Sequence, residues 1–479
     1  MKHPIRLSGV ALFTSVLALA ASTIGTPAVI APDRAVAKPA NSFATGIVDT
    51  AFADPTNDRT LALDRSASVG AKYVLRVVSW ADVAPAQPAT PSDPADPAYD
   101  WGALDAFVVE AFTRELTPVI SVSNAPAWAE GKGRPKTAPA GTWKPRPEAV
   151  RDFAAALAAR FDGSFQTDNA TLPRVRFFQA WTEPNLEAHL SPQWVGGKPK
   201  SPTLYARMLN AFYTGVKSVQ NATVITAGTS PYGDGPGSDR VRPLAFWRSV
   251  LCVRKSHGRL HRAGCAAKAR FDVLAHHAIN TSGPPRQSAL NPDDVSTPDL
   301  GSLARVLRFA ERKRTTAGHG RHPLWVTEFW WESNPPDPRQ GVSLRLQARY
   351  IQESLFLFWR AGAEAAFNFR ASDSVQNEGT ALFEAGTGLF LLSGEAKPAA
   401  HAFRFPFVVD EGSGRVLVWG RAPNGGEVVV ERKSRRGWEP QQRLTARPDG
   451  VFVGNLSLEG PAKLRARAGS DRSLVWEHK

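Results

Sequence analysis

The stretch "RVRFFQAWTEPNLEAHL" (174–190) changes character part-way through. Val175, Phe177, Phe178 and Ala180 read as a buried strand, and Trp181 closes it with a large ring. Glu183 then stands directly before Pro184, which cannot extend a strand ladder. A carboxylate beside so much apolar surface is costly unless it is paired or used. What surrounds this strand therefore decides how the chain is read.

Working outward, the same pattern recurs. Apolar strand-like runs at 43–52, 73–80, 117–128, 174–181, 222–228, 271–279, 322–331 and 365–372 alternate with helical runs. Such alternation predicts parallel strands joined by helical crossovers. Eight units predict an α/β fold, a closed (β/α)8 TIM barrel over residues 43–403. No Gly-x-Gly-x-x-Gly turn follows the first strand, which disfavours a dinucleotide-binding sheet. In a barrel of this kind the carboxyl ends of the strands converge on one face, so Glu183 points into a candidate catalytic mouth. After Phe405 the pattern becomes short and alternating, and residues 408–479 predict a small antiparallel β-sandwich. Asn424-Gly425 and Asp449-Gly450 are read as its hairpin turns. Its Trp419, Trp438 and Trp476 are read as core in preference to sugar platforms.

With 479 residues, 43% hydrophobic and 21% charged, the chain has a globular composition and ample length for such a core. Lys2 and Arg6 precede the apolar run 7–22, the build of a secretory signal peptide over residues 1–22. Cleavage as late as Ala37 is compatible with the small residues that follow, and 23–42 reads as a leader. The expected localisation is secreted, with an uncleaved anchor as the competing reading. Neither cysteine, Cys252 nor Cys265, lies near this segment, which excludes a lipid-anchored N-terminus. In an exported chain the pair predicts a disulfide, against two free thiols. No metal-ligand spacing is present, so neither metal nor cofactor is expected. The net charge of +14 fits an anionic cell envelope or acidic polysaccharide better than nucleic acid; a plain surface preference for arginine is the competing account.

"LWVTEFWWES" (324–333) supplies a second acidic strand end, with Glu328 after Leu324, Trp325 and Val326. Two carboxyl groups flanking a bond are the equipment of glycoside hydrolysis, and a separation of about 5–5.5 Å lets one act as nucleophile. "WTEPN" (181–185) and "WVTEF" (325–329) resemble the acid/base and nucleophile motifs of the clan A retaining glycoside hydrolases, families 39 and 5 above all. "YVLRVVSWADVAP", "NAPAWA" and "GLFLLSGEAKPAAHAF" are similar to other stretches of these barrels, so the likeness spans about residues 43–403.

The resemblance implies a retaining O-glycosyl hydrolase acting on a polysaccharide or oligosaccharide, with Glu183 as general acid/base and Glu328 as nucleophile. It further implies a Glu183 carboxyl raised by burial and by Glu328, with Trp181 as part of the apolar wall. Arg76 is expected to hydrogen-bond Glu328. Trp80, Trp128 and Trp330 are candidate sugar platforms, and Asn124 is a rim candidate. Two departures stand out: Thr182 replaces the family's usual Asn, and Ile279 replaces a Tyr two residues after His277. Asn185 and Tyr232 are the candidates to make good those contacts. Adjacent His276 and His277 must face opposite ways, and His277 is assigned to the mouth. The competing functions are a transglycosidase and a non-catalytic glycan-binding or envelope-associated protein on a degenerate barrel.

Overall fold

Eight of the apolar runs become parallel strands: β1 (Ala44–Val48), β2 (Tyr73–Ser79), β3 (Thr117–Ser123), β4 (Phe177–Ala180), β5 (Thr223–Thr226), β6 (Leu274–His277), β7 (Leu324–Phe329) and β8 (Ala363–Phe369). The computed structural model describes residues 38–478 apart from 55–56, 169, 281–282, 319, 375–384 and 411–414. The expected export signal and residues 23–37 of the expected leader thus lie outside the described residues. The strands hydrogen-bond in the order β6-β7-β8-β1-β2-β3-β4-β5. Parallel bridges Ile225–Val273 and Thr229–His276 join β5 to β6 and close the barrel.

Helices α1 (Asn57–Ser68), α2 (Gly102–Phe112), α3 (Pro147–Arg160), α4 (Ser201–Val219), α5 (Pro243–Val250), α6 (Leu300–Arg312) and α7 (Leu344–Arg360) fall between the strands in sequence. Pro at the first turn of α3, α4 and α5 suits a helix start, where its missing N–H costs nothing. Among the described residues no helix is long and apolar enough to cross a membrane.

Alternate residues of each strand face the barrel axis, which must be filled. Tyr73, Phe177, Trp325 and Phe367 do so, with ring centroids 5.0–5.8 Å apart. Gly46 makes room for them, since a Cβ there would lie 2.5 Å from Phe367 Cδ1. The barrel is solid beneath its mouth.

The C-terminal strands form two antiparallel sheets. One holds β9 (Phe407–Asp410), β10 (Val416–Arg421) and β13 (Val451–Leu456). The other holds β11 (Gly426–Ser434), β12 (Gly437–Ala446), β14 (Ala462–Ala468), β15 (Asp471–Arg472) and β16 (Trp476–His478). Asn424-Gly425 and Asp449-Gly450 are not hairpin turns; each carries the chain from one sheet to the other. Turn residues report local backbone shape, whereas sheet membership follows from which apolar face must be covered. Tight hairpins lie at Arg435-Arg436, where Ser434 pairs with Gly437, and at Gly469-Ser470, where Ala468 pairs with Asp471.

Trp419 faces the barrel, packing on Phe43, Phe356 and Trp359 at 6.2, 5.7 and 5.8 Å. Asp410 takes Arg286 and Arg360 at 2.8 Å each, and Arg404 pairs with Asp471 at 2.7 Å. Cys252 and Cys265 are disulfide-bonded.

Gly46→Ala should cost about 1–3 kcal/mol in denaturant unfolding because the aromatic plug cannot yield easily. Gly235→Ala, with open space around it, should stay within about 0.5 kcal/mol. Equal effects at the two sites would count against the plug.

Candidate active site

Strand β4 ends at Ala180, and the chain then enters backbone conformations that L-residues rarely adopt. Trp181 has φ 80° and Glu183 φ 37°. The turn survives because it is bonded to the loop after β5. Glu183 N–H donates to Gly228 O at 2.9 Å. Asn185 Nδ2 donates to Ser230 O and Val241 O at 3.2 and 3.1 Å, while its Oδ1 accepts from Ser230 N–H at 2.9 Å. The turn sends Trp181 toward the helices and Glu183 into the mouth.

Glu328 reaches the same mouth by a different device. In strict alternation, Thr327 and Glu328 would face opposite sides of β7. Between the pairs His276–Val326 and His277–Glu328, however, β7 advances two residues while β6 advances one. This bulge re-aims Glu328 so that it and Thr327 both line the mouth cavity. Trp330 Nε1–H donates to Glu328 Oε1 at 3.3 Å.

His277 joins the two carboxylates. Its Nδ1 lies 2.9 Å from Glu183 Oε1 and 3.9 Å from Glu328 Oε2. His276 faces outward, its Nδ1 2.9 Å from Thr229 Oγ1 and its Nε2 2.7 Å from Val295 O. Trp247 Nε1–H already donates to Thr229 Oγ1 at 2.9 Å, so the threonine hydroxyl donates to His276 Nδ1 and the His276 proton sits on Nε2. Burial pushes His276 down to about 3, and it stays neutral.

The charges at the mouth follow from these contacts. Burial acts to raise Glu183, but the His277 hydrogen bond and the His277 and His189 charges outweigh it, leaving the carboxyl below its usual range. This reverses the rise expected from sequence, which had no imidazole at bonding distance. Glu328 is raised by burial and by Glu183, against the opposing charges of His277 and Arg370 and the Trp330 bond. Burial acts to lower His277, yet Glu328 and Glu183 together carry it above 6.5. The resting proton therefore sits on His277 Nδ1, donated toward Glu183. His189 Nε2 is 3.6 Å from Glu183 Oε2, beyond hydrogen-bonding reach, and burial lowers it.

Several residues expected at the mouth stand elsewhere. On β2, Leu75 and Val77 face the cavity, so Arg76 between them points to the helices. Its Nη1 donates to Ala103 O, its guanidinium covers Phe107 at 5.8 Å, and it does not bond Glu328. Trp80 is buried, stacked on Phe153 at 4.9 Å. Trp181 is buried too, its Nε1–H given to His189 O at 2.8 Å. Trp128, half-buried, packs edge-on to Trp80 and donates to Ala84 O at 2.9 Å. None of these rings offers an open face to a sugar. Asn185 spends its amide on the backbone bonds above. Trp330 is buried and serves Glu328 with its indole N–H. Asn124 stays exposed at the rim, its Nδ2 3.3 Å from Ser79 Oγ. Tyr232 lies half-buried in the loop after β5.

Thr182 does line the cavity, with Ser121, Gln179 and Thr327. Gln179 Oε1 and Thr327 Oγ1 are buried without a hydrogen-bond partner among the described residues. Sequence reading missed Gln179, Thr327, His189, Arg370 and Gly228. The one available signal was Gln179, a polar side chain at the same inward parity as Phe177. Gly228 matters because a Cβ there would lie 2.2 Å from the His277 ring. Among the described residues no group of three or more His, Cys, Asp or Glu is placed to hold a metal ion.

No family model matches the sequence, and no curated protein matches it. Among solved structures, it is similar to a family 39 glycoside hydrolase from the gut symbiont Bacteroides cellulosilyticus WH2. That match has TM-score 0.52 and 18% identity over 87% of this chain and 79% of the other. It is also similar to a glucosidase from Croceicoccus marinus, with TM-score 0.50 and 14% identity over 88% and 94% of the two chains. At these identities the likeness is one of fold, and the fold is the barrel that the eight alternating units predicted.

Nitrogen-detected histidine titration should find His277 protonated above 6.5 and His276 neutral until about 3. In Glu183→Gln the His277 midpoint should fall. A His277 midpoint at or below 6.5 in the wild type would refute the bridge.

Proposed function

We propose that this protein is a secreted retaining glycoside hydrolase that cleaves O-glycosidic bonds of a glycan by double displacement. The observation that carries this is the bridge: oxygens of Glu183 and Glu328 lie 2.9 and 3.9 Å from one imidazole nitrogen. The two oxygens are thus at most about 6.8 Å apart, a bound that includes the roughly 5–5.5 Å of a nucleophile pair and leaves out most of the roughly 6.5–9.5 Å that makes room for an inverting water.

Glu328 attacks the anomeric carbon as the bond to the leaving oxygen breaks, and Glu183 gives that oxygen its proton. The resting triad already holds the proton required. With Glu183 and Glu328 ionised and His277 charged, one proton is shared, and its transfer along the 2.9 Å bond yields acidic Glu183 beside ionised Glu328. A sugar over Glu328 favours that form, since neutral His277 no longer competes for the nucleophile's charge. In the second step Glu183 takes a proton from water, whose oxygen attacks the anomeric carbon and releases Glu328. Gln179 Oε1, Thr327 Oγ1 and the Thr182 hydroxyl are assigned to sugar hydroxyls, the first two because they lack protein partners. Asn124 extends this polar rim.

The pH profile of kcat/KM should be a bell belonging to the coupled triad. Its acid limb reports Glu328 taking a proton and should lie above the ordinary glutamate value of about 4.3. Its alkaline limb reports loss of the shared proton and should lie above the ordinary histidine value of about 6.5. Glu183→Gln should lower kcat about 10²–10⁴-fold on glycosides with poor leaving groups and less on activated aryl glycosides. Glu328→Gln should show no turnover, and the wild-type product should first appear with retained anomeric configuration by NMR. Turnover by Glu328→Gln, or an inverted first product, would reject the mechanism.

A further inference from the structure

The disulfide closes a hairpin that the mouth does not use. Strands Val253–Ser256 and Arg259–Arg262 pair antiparallel between α5 and β6. The hairpin belongs to the connection from α5 to the start of β6, and none of its residues lines the mouth cavity. From Cys252 to Arg270 the chain carries Arg254, Lys255, Arg259, Arg262, Lys268 and Arg270 and no acidic residue. All six are exposed. Among the described residues, Arg254, Lys255, Arg259 and Arg262 form no ion pair.

Nearby carboxylates are already engaged. Asp293, which feels the Lys255 charge, is held by both Nη atoms of Arg248 at 2.8 and 2.5 Å. Asp272 pairs with Lys217 at 2.9 Å. The finger is also firmly based. Val253 is buried and Leu260 packs against the core. Ala263 N–H donates to Cys252 O at 2.8 Å, and Asn210 bonds both Lys268 O and Arg270 N–H, at 3.0 and 2.8 Å. Uncompensated charge on a rigid support lowers the ordering cost of binding an anion.

We propose that this hairpin is a docking site for an anionic glycan polymer, separate from the mouth. Guanidinium forks and ammonium groups spaced along two strands match carboxylates or phosphates spaced along a chain. Residues 252–270 contain no Phe, Tyr or Trp to stack a nucleobase, and their exposed side chains include no large apolar group to enter a bilayer. A disulfide also belongs to an oxidising compartment, where surface polysaccharides are the abundant polyanions. The docking surface does not depend on the reaction proposed for the mouth, because binding is read without turnover.

The test uses the full chain on immobilised polygalacturonate, against duplex DNA and phosphatidylglycerol vesicles. Arg254→Ser/Lys255→Ser/Arg259→Ser/Arg262→Ser should weaken polygalacturonate binding at least tenfold. A charge-matched control, Arg435→Ser/Arg436→Ser/Arg443→Ser/Lys463→Ser in the C-terminal sheets, should stay within twofold. A third variant replacing Arg254, Arg259 and Arg262 by Lys should keep most of the binding, which separates lost charge from lost folding. Equal losses in the two Ser variants would reduce the effect to net charge and overturn the proposal. So would no binding by the wild type, or tighter binding to the DNA or the vesicles.

Discussion

Two half-buried carboxylates beside one buried imidazole set the terms for the mouth of this barrel. Removing such charges from water is expensive, and the cost is offset only when each lone pair finds a partner. His277 serves both carboxylates, Trp330 holds Glu328, and the Glu183 backbone is bonded to Gly228. Left-handed Trp181 and Glu183, a bulge in β7 and a glycine under the His277 ring are the local irregularities this arrangement demands. All of them lie at the carboxyl ends of strands whose lower halves are packed around four aromatic rings. A packed lower barrel and an irregular rim divide the work: one provides stability, the other aims side chains.

The resting charge distribution is informative about mechanism. An isolated pair of glutamates would leave the proton on whichever is better buried. With His277 between them, the proton is stored on the imidazole, and the proposed mechanism has Glu183 receive it when a sugar changes the balance of charge around Glu328. The placement of one ring therefore sets where the proton waits, and a bulge of one residue sets where Glu328 points.

Much of the site was legible and much was not, for reasons of parity. Glu183 and Glu328 stood out because charge at the end of an apolar strand has few structural explanations. Arg76, Trp80 and Trp181 were drawn to the mouth by their company in sequence, yet their strand positions or turn geometry send them to the helix layer. Leu75, Arg76 and Val77 cannot all face inward, and the Arg76 contacts with Ala103 O and Phe107 settle that it faces out. Asn185 illustrates a different limit, since a polar residue beside a catalytic candidate can equally be the bond that holds the turn. In the C-terminal sheets, turn dipeptides marked real turns but not the strands they would join.

The sequence by itself determined the alternation of strand and helix, the eight-unit count, the change to short β-strands after Phe405 and the two acidic strand ends. These depend on hydrophobic period and on residue types, which are local properties. Only the tertiary structure decided that His277 bridges the glutamates, that His189, Gln179 and Thr327 join them, and that the basic hairpin stays out of the mouth cavity. Those facts depend on barrel closure, on one bulge and on two left-handed residues, each of which brings distant segments to a few ångströms. No pattern along the chain encodes such a distance, because it is set by the packing of all eight strands at once.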